Sequence, residues 1–219
     1  MSNDLEFAGF GKTRVEALAD GIFAIAMTVL VLTIAVPNFP ANATEAQVSS
    51  AVRKLIPSLL AFVSSFVTLG MFWIGHHSIY RFITKTDRVL LWLNVYFLMF
   101  VSLVPFTTSL YSHDANSRLT NAIFGGNLII LGLISYGTWM YASSRPSYLP
   151  EGLPKDLMCF MRRRILTIPL VAAAALAASL IQPVWAEAIY FAMVPVFMFS
   201  VRGTGAGSKR PRKADETGV

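Results

Sequence analysis

The sequence predicts an all-α integral membrane protein with six transmembrane helices per subunit and both termini in the cytoplasm. Three observations predict it: a shortage of charge, long apolar runs, and basic residues gathered on one side of those runs. Of 219 residues, 55% are hydrophobic and 14% are charged, against about 25% charged in an ordinary soluble domain. The mean hydropathy is +0.58. So little charge cannot cover a water-facing surface. Runs of roughly 18 or more apolar residues read as membrane spans, because about 20 residues of helix cross the hydrocarbon. Lipid offers no hydrogen bonds, so the backbone in these runs must satisfy itself as helix.

Residues 1–202 read as one six-helix membrane domain. Span 1 covers about 21–36 and is ended by Pro37 and Pro40; its helix is expected to begin near Thr13, capped by Thr13 with Glu16 three residues on. Span 2 covers about 55–82, long enough to project from the bilayer. Span 3 covers about 89–111, with a kink expected at Pro105. Span 4 covers about 119–142. Span 5 covers about 165–182, and its alanine-rich middle allows close helix approach. Span 6 covers about 184–201, and the short connection at Pro183 predicts an antiparallel hairpin with span 5. Residues 203–219 form a basic tail rich in Gly, Lys and Arg and lacking aromatics, the composition of a disordered segment.

Loop charges set the orientation. Lys12 and Arg14, then Arg81, Lys85 and Arg88, then Arg145, Lys155 and Arg162 to Arg164, then Arg202, Lys209, Arg210, Arg212 and Lys213 fall on one side. Only Arg53, Lys54 and Arg118 fall on the other. The positive-inside rule puts both termini in the cytoplasm, which an even number of spans requires. The net charge of +6 therefore reports topology and membrane lipid rather than nucleic acid. Acidic residues among the first twenty make a poor signal-peptide start. Cys159 is the single cysteine; it has no internal disulfide partner and reads as a plain thiol.

Polar residues inside apolar spans are the candidate functional groups, since ionisable side chains there are costly unless partnered. On span 1, Arg14 and Asp20 lie six apart and so do not share one helix face. Each is expected to seek a partner on another helix or to sit at the interface. Ile25, Thr28, Val29 and Leu32 recur at spacings of three and four and share a face. Periodicity does not say whether that face meets lipid, another helix or something else, and a threonine in a helix commonly bonds its own backbone. Span 2 carries Trp73, His76 and His77, and span 3 carries Asn94, a suitable partner for a span 2 histidine. Neighbouring histidines point about 100° apart on a helix, and no carboxylate or cysteine cluster accompanies them. A metal site is therefore not expected, nor any cofactor. Catalytic sets are absent: no Gly-rich phosphate loop, nucleophile elbow or paired-carboxylate site is found, which excludes the common enzyme classes. The Thr-Val-Gly-Tyr-Gly filter of backbone carbonyls is absent too.

The run Arg14-x-x-x-Leu18-Ala19-Asp20-Gly21-Ile22-Phe23-Ala24-Ile25-Ala26 resembles the Arg-x-x-x-Phe-Ser-Asp signature of the transmembrane protein 175 family of potassium channels. The likeness continues through Phe72-Trp73-Ile74-Gly75-His76-His77, Leu93-Asn94 and Phe100-Val101-Ser102-Leu103-Val104-Pro105-Phe106. It covers the first half of the chain in detail and the second half only in its spans. The resemblance implies a homotetrameric potassium channel of the cell membrane, with the first helix of each subunit lining the pore. By position, Ile25, Val29 and Leu32 would form hydrophobic constrictions and Thr28 the polar layer linked to potassium preference. Arg14, Asp20, Trp73, His76 and Asn94 would form the interhelical network that holds the first helix. Leu18 and Ala19 stand where Phe and Ser are expected, so the network has one hydroxyl fewer. Val29 is smaller than the leucine often found there. Such apolar rings would close the pore by excluding water. The competing expectation is a secondary transporter or a proton pathway using Asp20 and His76, with saturable flux coupled to a pH gradient. The internal repeats and broken spans common in transporters are not visible.

Overall fold

The computed structural model describes residues 11–182, together with Trp185, Ala186, residues 188–190 and Ala192. Helix α1 (Lys12–Val29) runs on into a 3-10 turn at Leu30–Thr33. A short helix α2 (Glu45–Lys54) precedes four long ones: α3 (Ile56–Phe82), α4 (Arg88–His113), α5 (Arg118–Ser143) and α6 (Lys155–Ile181). Five helical segments among the described residues are long and apolar enough to cross a membrane. At 1.5 Å per residue, a helix of α4's length spans ~39 Å, more than the ~30 Å hydrocarbon core. The sixth expected span falls largely outside the described residues, and the basic tail lies wholly outside them.

Local chemistry fixes the helix ends, with three departures from the sequence expectation. Thr13 does not cap α1. The helix starts one residue before it, at Lys12, with Gly11 in the capping position and the Arg14 N–H donating to the Gly11 carbonyl at 2.8 Å. Glycine and threonine are nearly equal as N-caps, so the threonine carries no advantage over a glycine two residues upstream. The first span also ends early: Ile34 is already extended, and Val36 precedes Pro37, which disfavours helix at the preceding residue. Helix α6 begins ten residues ahead of its apolar run, so Arg162 to Arg164 sit on the same rod as the span. Pro105, where a kink is expected, lies inside α4. Helix α2 carries a full capping box between Thr44 and Gln47 and ends in Arg53 and Lys54, which complement the helix dipole.

Helices α5 and α6 pack on each other, α4 packs on α5, and α1 lies against α3 and α4. Two buried clusters hold the bundle. The central one joins Phe23 of α1 and Leu30 of the 3-10 turn to Leu69 and Phe72, Phe97 and Val101, Leu128 and Ala172. Tyr190 closes it, edge-on to Phe124 at 5.0 Å. The second gathers Val15, Ile79, Tyr80, Ile83, Leu90, Trp139, Ala142, Leu149 and Met161. It marks the end of the bundle at which α1, α4 and α6 begin and α3 and α5 finish. Lys12, Arg14, Arg81, Lys85, Arg88, Arg145 and Lys155 belong to this end; Arg53, Lys54 and Arg118 belong to the opposite one.

Close approach of α5 and α6 depends on one glycine. A Cβ on Gly132 would stand 2.6 Å from Pro169 Cδ and 2.7 Å from its Cβ and Cγ, so the proline ring occupies the side-chain space. Gly132→Ala is expected to lower stability by about 1–3 kcal/mol through overpacking. Gly126→Ala, where the added atom meets nothing within 4 Å, should be neutral or stabilising. Thermal unfolding of the two variants in detergent, side by side, checks this.

The α3–α4 and α5–α6 loops are joined by Asp87. This residue caps α4 through the Leu90 N–H at 2.9 Å and accepts the Tyr148 hydroxyl at 3.0 Å and the Tyr141 hydroxyl. Arg145 lies 3.8 Å over the Tyr141 ring, and the Thr84 N–H donates to the Tyr148 carbonyl at 2.9 Å. Burial pushes the Asp87 carboxyl up, but the Leu90 N–H, the two tyrosine hydroxyls and the Arg145 charge outweigh it and hold it below its ordinary range. A carboxyl lowered on folding stabilises the junction above its unfolded pKa, and that contribution is lost as pH falls through the lowered value.

Candidate functional site

Helix α1 has two apolar faces with different fates. Val15, Ala19, Phe23, Ala26 and Leu30 are buried against the bundle. Ile25, Val29 and Leu32 face away from it, 65%, 39% and 77% exposed, with Thr28 exposed among them. Such large apolar side chains on one stripe of a helix require a cover of lipid or protein. Beside the stripe, an apolar cavity of about 360 Å³ opens between α1 and α4, lined by Ile22, Ile25, Ala26 and Val29 and by Ser102, Pro105 and Phe106.

The Thr28 hydroxyl donates to the carbonyls of Ala24 at 3.0 Å and Ile25 at 2.8 Å. Its single proton is thus committed to the helix. Its oxygen keeps acceptor capacity on the exposed side.

One polar pair and an aromatic group join α1 to its neighbours, and a second polar pair joins α3 to α4. The Trp73 indole N–H of α3 donates to Asp20 Oδ1 of α1 at 2.8 Å. One turn further along α3, His76 Nε2 lies 2.8 Å from Asn94 Oδ1 of α4; both residues are buried. The His76 ring is stacked on Tyr80 at 4.4 Å and on Phe97 at 5.4 Å. Phe23 of α1 meets Phe97 at 5.9 Å and His76 at 6.4 Å. The partnership between span 2 and span 3 expected from lone polar residues is therefore His76 with Asn94. Asp20 is engaged by Trp73 and makes no hydrogen bond to His76. His77 turns away to stack with Trp73. Arg14 lies exposed in the first turn of α1.

Where the family pattern carries a serine, Ala19 is fully buried in the central cluster, while Leu18 is 51% exposed. Among the described residues no three His, Cys, Asp or Glu side chains come together to hold a metal.

Three polar contacts between helices were not among the sequence candidates. The Thr108 hydroxyl donates to Ser65 Oγ at 2.8 Å between α4 and α3. The Asn127 amide donates to the Phe100 carbonyl at 3.3 Å and to Thr107 Oγ1 at 3.4 Å between α5 and α4. Asp87 joins the two loops as described. The signal for the first two was present as lone polar residues within apolar spans, but hydroxyls in helices bond their own backbone so often that sequence does not separate the two cases.

The family model described as endosomal/lysosomal potassium channel TMEM175 matches residues 14–105. A protein of Chamaesiphon minutus named as a potassium channel is 35% identical over 141 residues, 63% of this chain and 69% of that one. The Gallus gallus protein named endosomal/lysosomal proton channel TMEM175 is 36% identical over 109 residues, 48% of this chain but only 22% of that one. The crystal structure of a protein described as a lysosomal potassium-selective channel TMEM175 homolog from Chamaesiphon minutus superposes with a TM-score of 0.75 at 27% identity, covering 87% of this chain and 98% of that chain.

Proposed function

Because the chain belongs to the TMEM175 family, a family of multi-pass membrane channels, we propose that it is a potassium-permeable cation channel assembled as a homotetramer around the first helix of each subunit. The observation that carries this reading is the uncovered stripe Ile25, Thr28, Val29 and Leu32, opposite the packed face of α1. Four copies of α1 meeting on that stripe would enclose a central path. Ile25, Val29 and Leu32 are its hydrophobic constrictions, closed by dewetting when the rings are narrow. Thr28 supplies a layer of hydroxyl oxygens, and because its proton is committed to the backbone, lone pairs rather than the proton meet the cation. With no ring of backbone carbonyls to replace the hydration shell, partly hydrated ions pass and selectivity is moderate.

In the same reading Asp20, Trp73, His76 and Asn94, with Arg14, set the tilt of α1, and both termini lie in the cytoplasm of a cell-membrane protein. The alternative of proton conduction through Asp20 and His76 draws on the name of the animal relatives. The partners found for the two residues favour a holding role, since Asp20 pairs with Trp73 and His76 with Asn94.

Single-channel recording of the purified chain in a planar bilayer, under opposed potassium and sodium gradients, tests the proposal. The expected result is passive, non-saturating current with a reversal potential displaced toward potassium. A reversal potential near zero removes the potassium preference, and saturable flux that follows a pH gradient supports the proton reading instead.

A further inference from the structure

Away from α1, at the end of the bundle that gathers the basic loops, a cavity of about 300 Å³ lies between the last turn of α5 and the first turns of α6. Met140 of α5 and Met158 of α6 make its apolar wall over the buried Trp139, and Lys155 and Arg162 bring two cations to it. Lys155, Met158, Cys159 and Arg162 recur at spacings of three and four, so α6 presents them on one face. Both cations are exposed, with no ion pair to either among the described residues. The acidic residues nearest in sequence, Glu151 and Asp156, do not line the cavity.

We propose that this groove binds the headgroup of an anionic phospholipid. Its chemistry is two-sided in the way a headgroup is, with cations for the phosphate and the two methionines for the glycerol and upper acyl carbons. Basic pockets between transmembrane helices at the cytoplasmic side are suited to such lipids. A volume near 300 Å³ is at the lower limit for a ligand site, enough for a headgroup with its chains lying outside along the helices. The position fits as well: α1 packs on α3 and α4, so a shared axis along the free stripe of α1 leaves the α5–α6 pair toward the surrounding lipid. The groove draws on no part of the ion path, so its test is independent of the channel assignment.

Native mass spectrometry of the detergent-purified full chain, titrated with phosphatidylglycerol or with phosphatidylcholine of the same acyl chains, reads the binding directly. Phosphatidylglycerol is expected to be retained preferentially. Lys155→Gln with Arg162→Gln is expected to weaken its retention about thirtyfold, given the worth of a basic side chain at an anionic surface. Arg53→Gln with Lys54→Gln, at the opposite end, should leave it unchanged. Cys159 lines the groove and is the sole cysteine. Its alkylation by neutral N-ethylmaleimide should therefore be slower in phosphatidylglycerol nanodiscs than in phosphatidylcholine ones, and the double variant should erase the difference. Equal retention of the two lipids, or undiminished retention by the double variant, overturns the proposal. So does displacement of the lipid by inorganic phosphate, which would make the groove a free-phosphate site.

Discussion

Proteoliposomes carrying Ile25→Asn are expected to pass potassium at least about tenfold faster than the unaltered chain, and Leu32→Asn should act in the same direction. Both side chains are among the most exposed apolar groups of α1 and the 3-10 turn that follows it. On the proposed axis each would be present four times at one level. A ring of isoleucine or leucine closes without touching, because water leaves a narrow apolar neck and an ion cannot follow without its hydration. Asparagine is of similar size but offers an amide to water, so the neck stays wet at the same width. The change in barrier needed is small: ~1.4 kcal/mol is a factor of ten in rate. Neither substitution disturbs the packed face, made by Val15, Ala19, Phe23, Ala26 and Leu30, so folding should be unaffected. A radiotracer or dye-quench flux assay with matched protein content measures the effect. Unchanged flux in both variants would remove α1's free stripe from the ion path.

The second large effect is expected at the buried pair of α3 and α4. Asn94→Leu should destabilise the chain by about 1–3 kcal/mol, the cost of leaving a buried polar group without its partner. Here the stranded group is the His76 imidazole, enclosed by Tyr80 and Phe97. Since Phe23 of α1 packs on the same aromatic group, loss of order should reach the first helix and lower flux. Replacing both partners separates this from a simple packing defect. His76→Phe keeps an aromatic ring in the stack and removes the polar atom, so the double variant His76→Phe with Asn94→Leu should recover most of the lost stability. Thermal unfolding of the four proteins in detergent gives the coupling directly. Additive losses, with no recovery in the double variant, would mean that the 2.8 Å contact contributes nothing beyond its packing.

How far the site could be read from sequence differs residue by residue. Asp20, His76 and Asn94 stand out because polar groups in apolar runs are few and expensive. That His76 needed a partner on the next span followed from that cost. Trp73 was legible only through its motif, since an indole within a membrane span has several ordinary uses. Asp87 gave no signal of its role: it is one polar residue in a polar loop, and the tyrosines it holds are 54 and 61 residues away. Thr13 misled, because a capping pattern in sequence does not show that a neighbouring glycine will serve equally well.

Hydropathy and charge by themselves determined the class of molecule, the existence and approximate place of its long helices, and the segregation of its basic loops. Those follow from how strongly water and lipid discriminate against the wrong side chain, a property of each residue independent of its neighbours. Only the tertiary structure decided which of α1's two apolar stripes is packed and which is left open. To periodicity the stripes are equivalent, since either would be equally content in lipid. The choice is made by the shapes of α3 and α4, where Phe23 finds the His76–Phe97 stack and Asp20 finds the Trp73 indole.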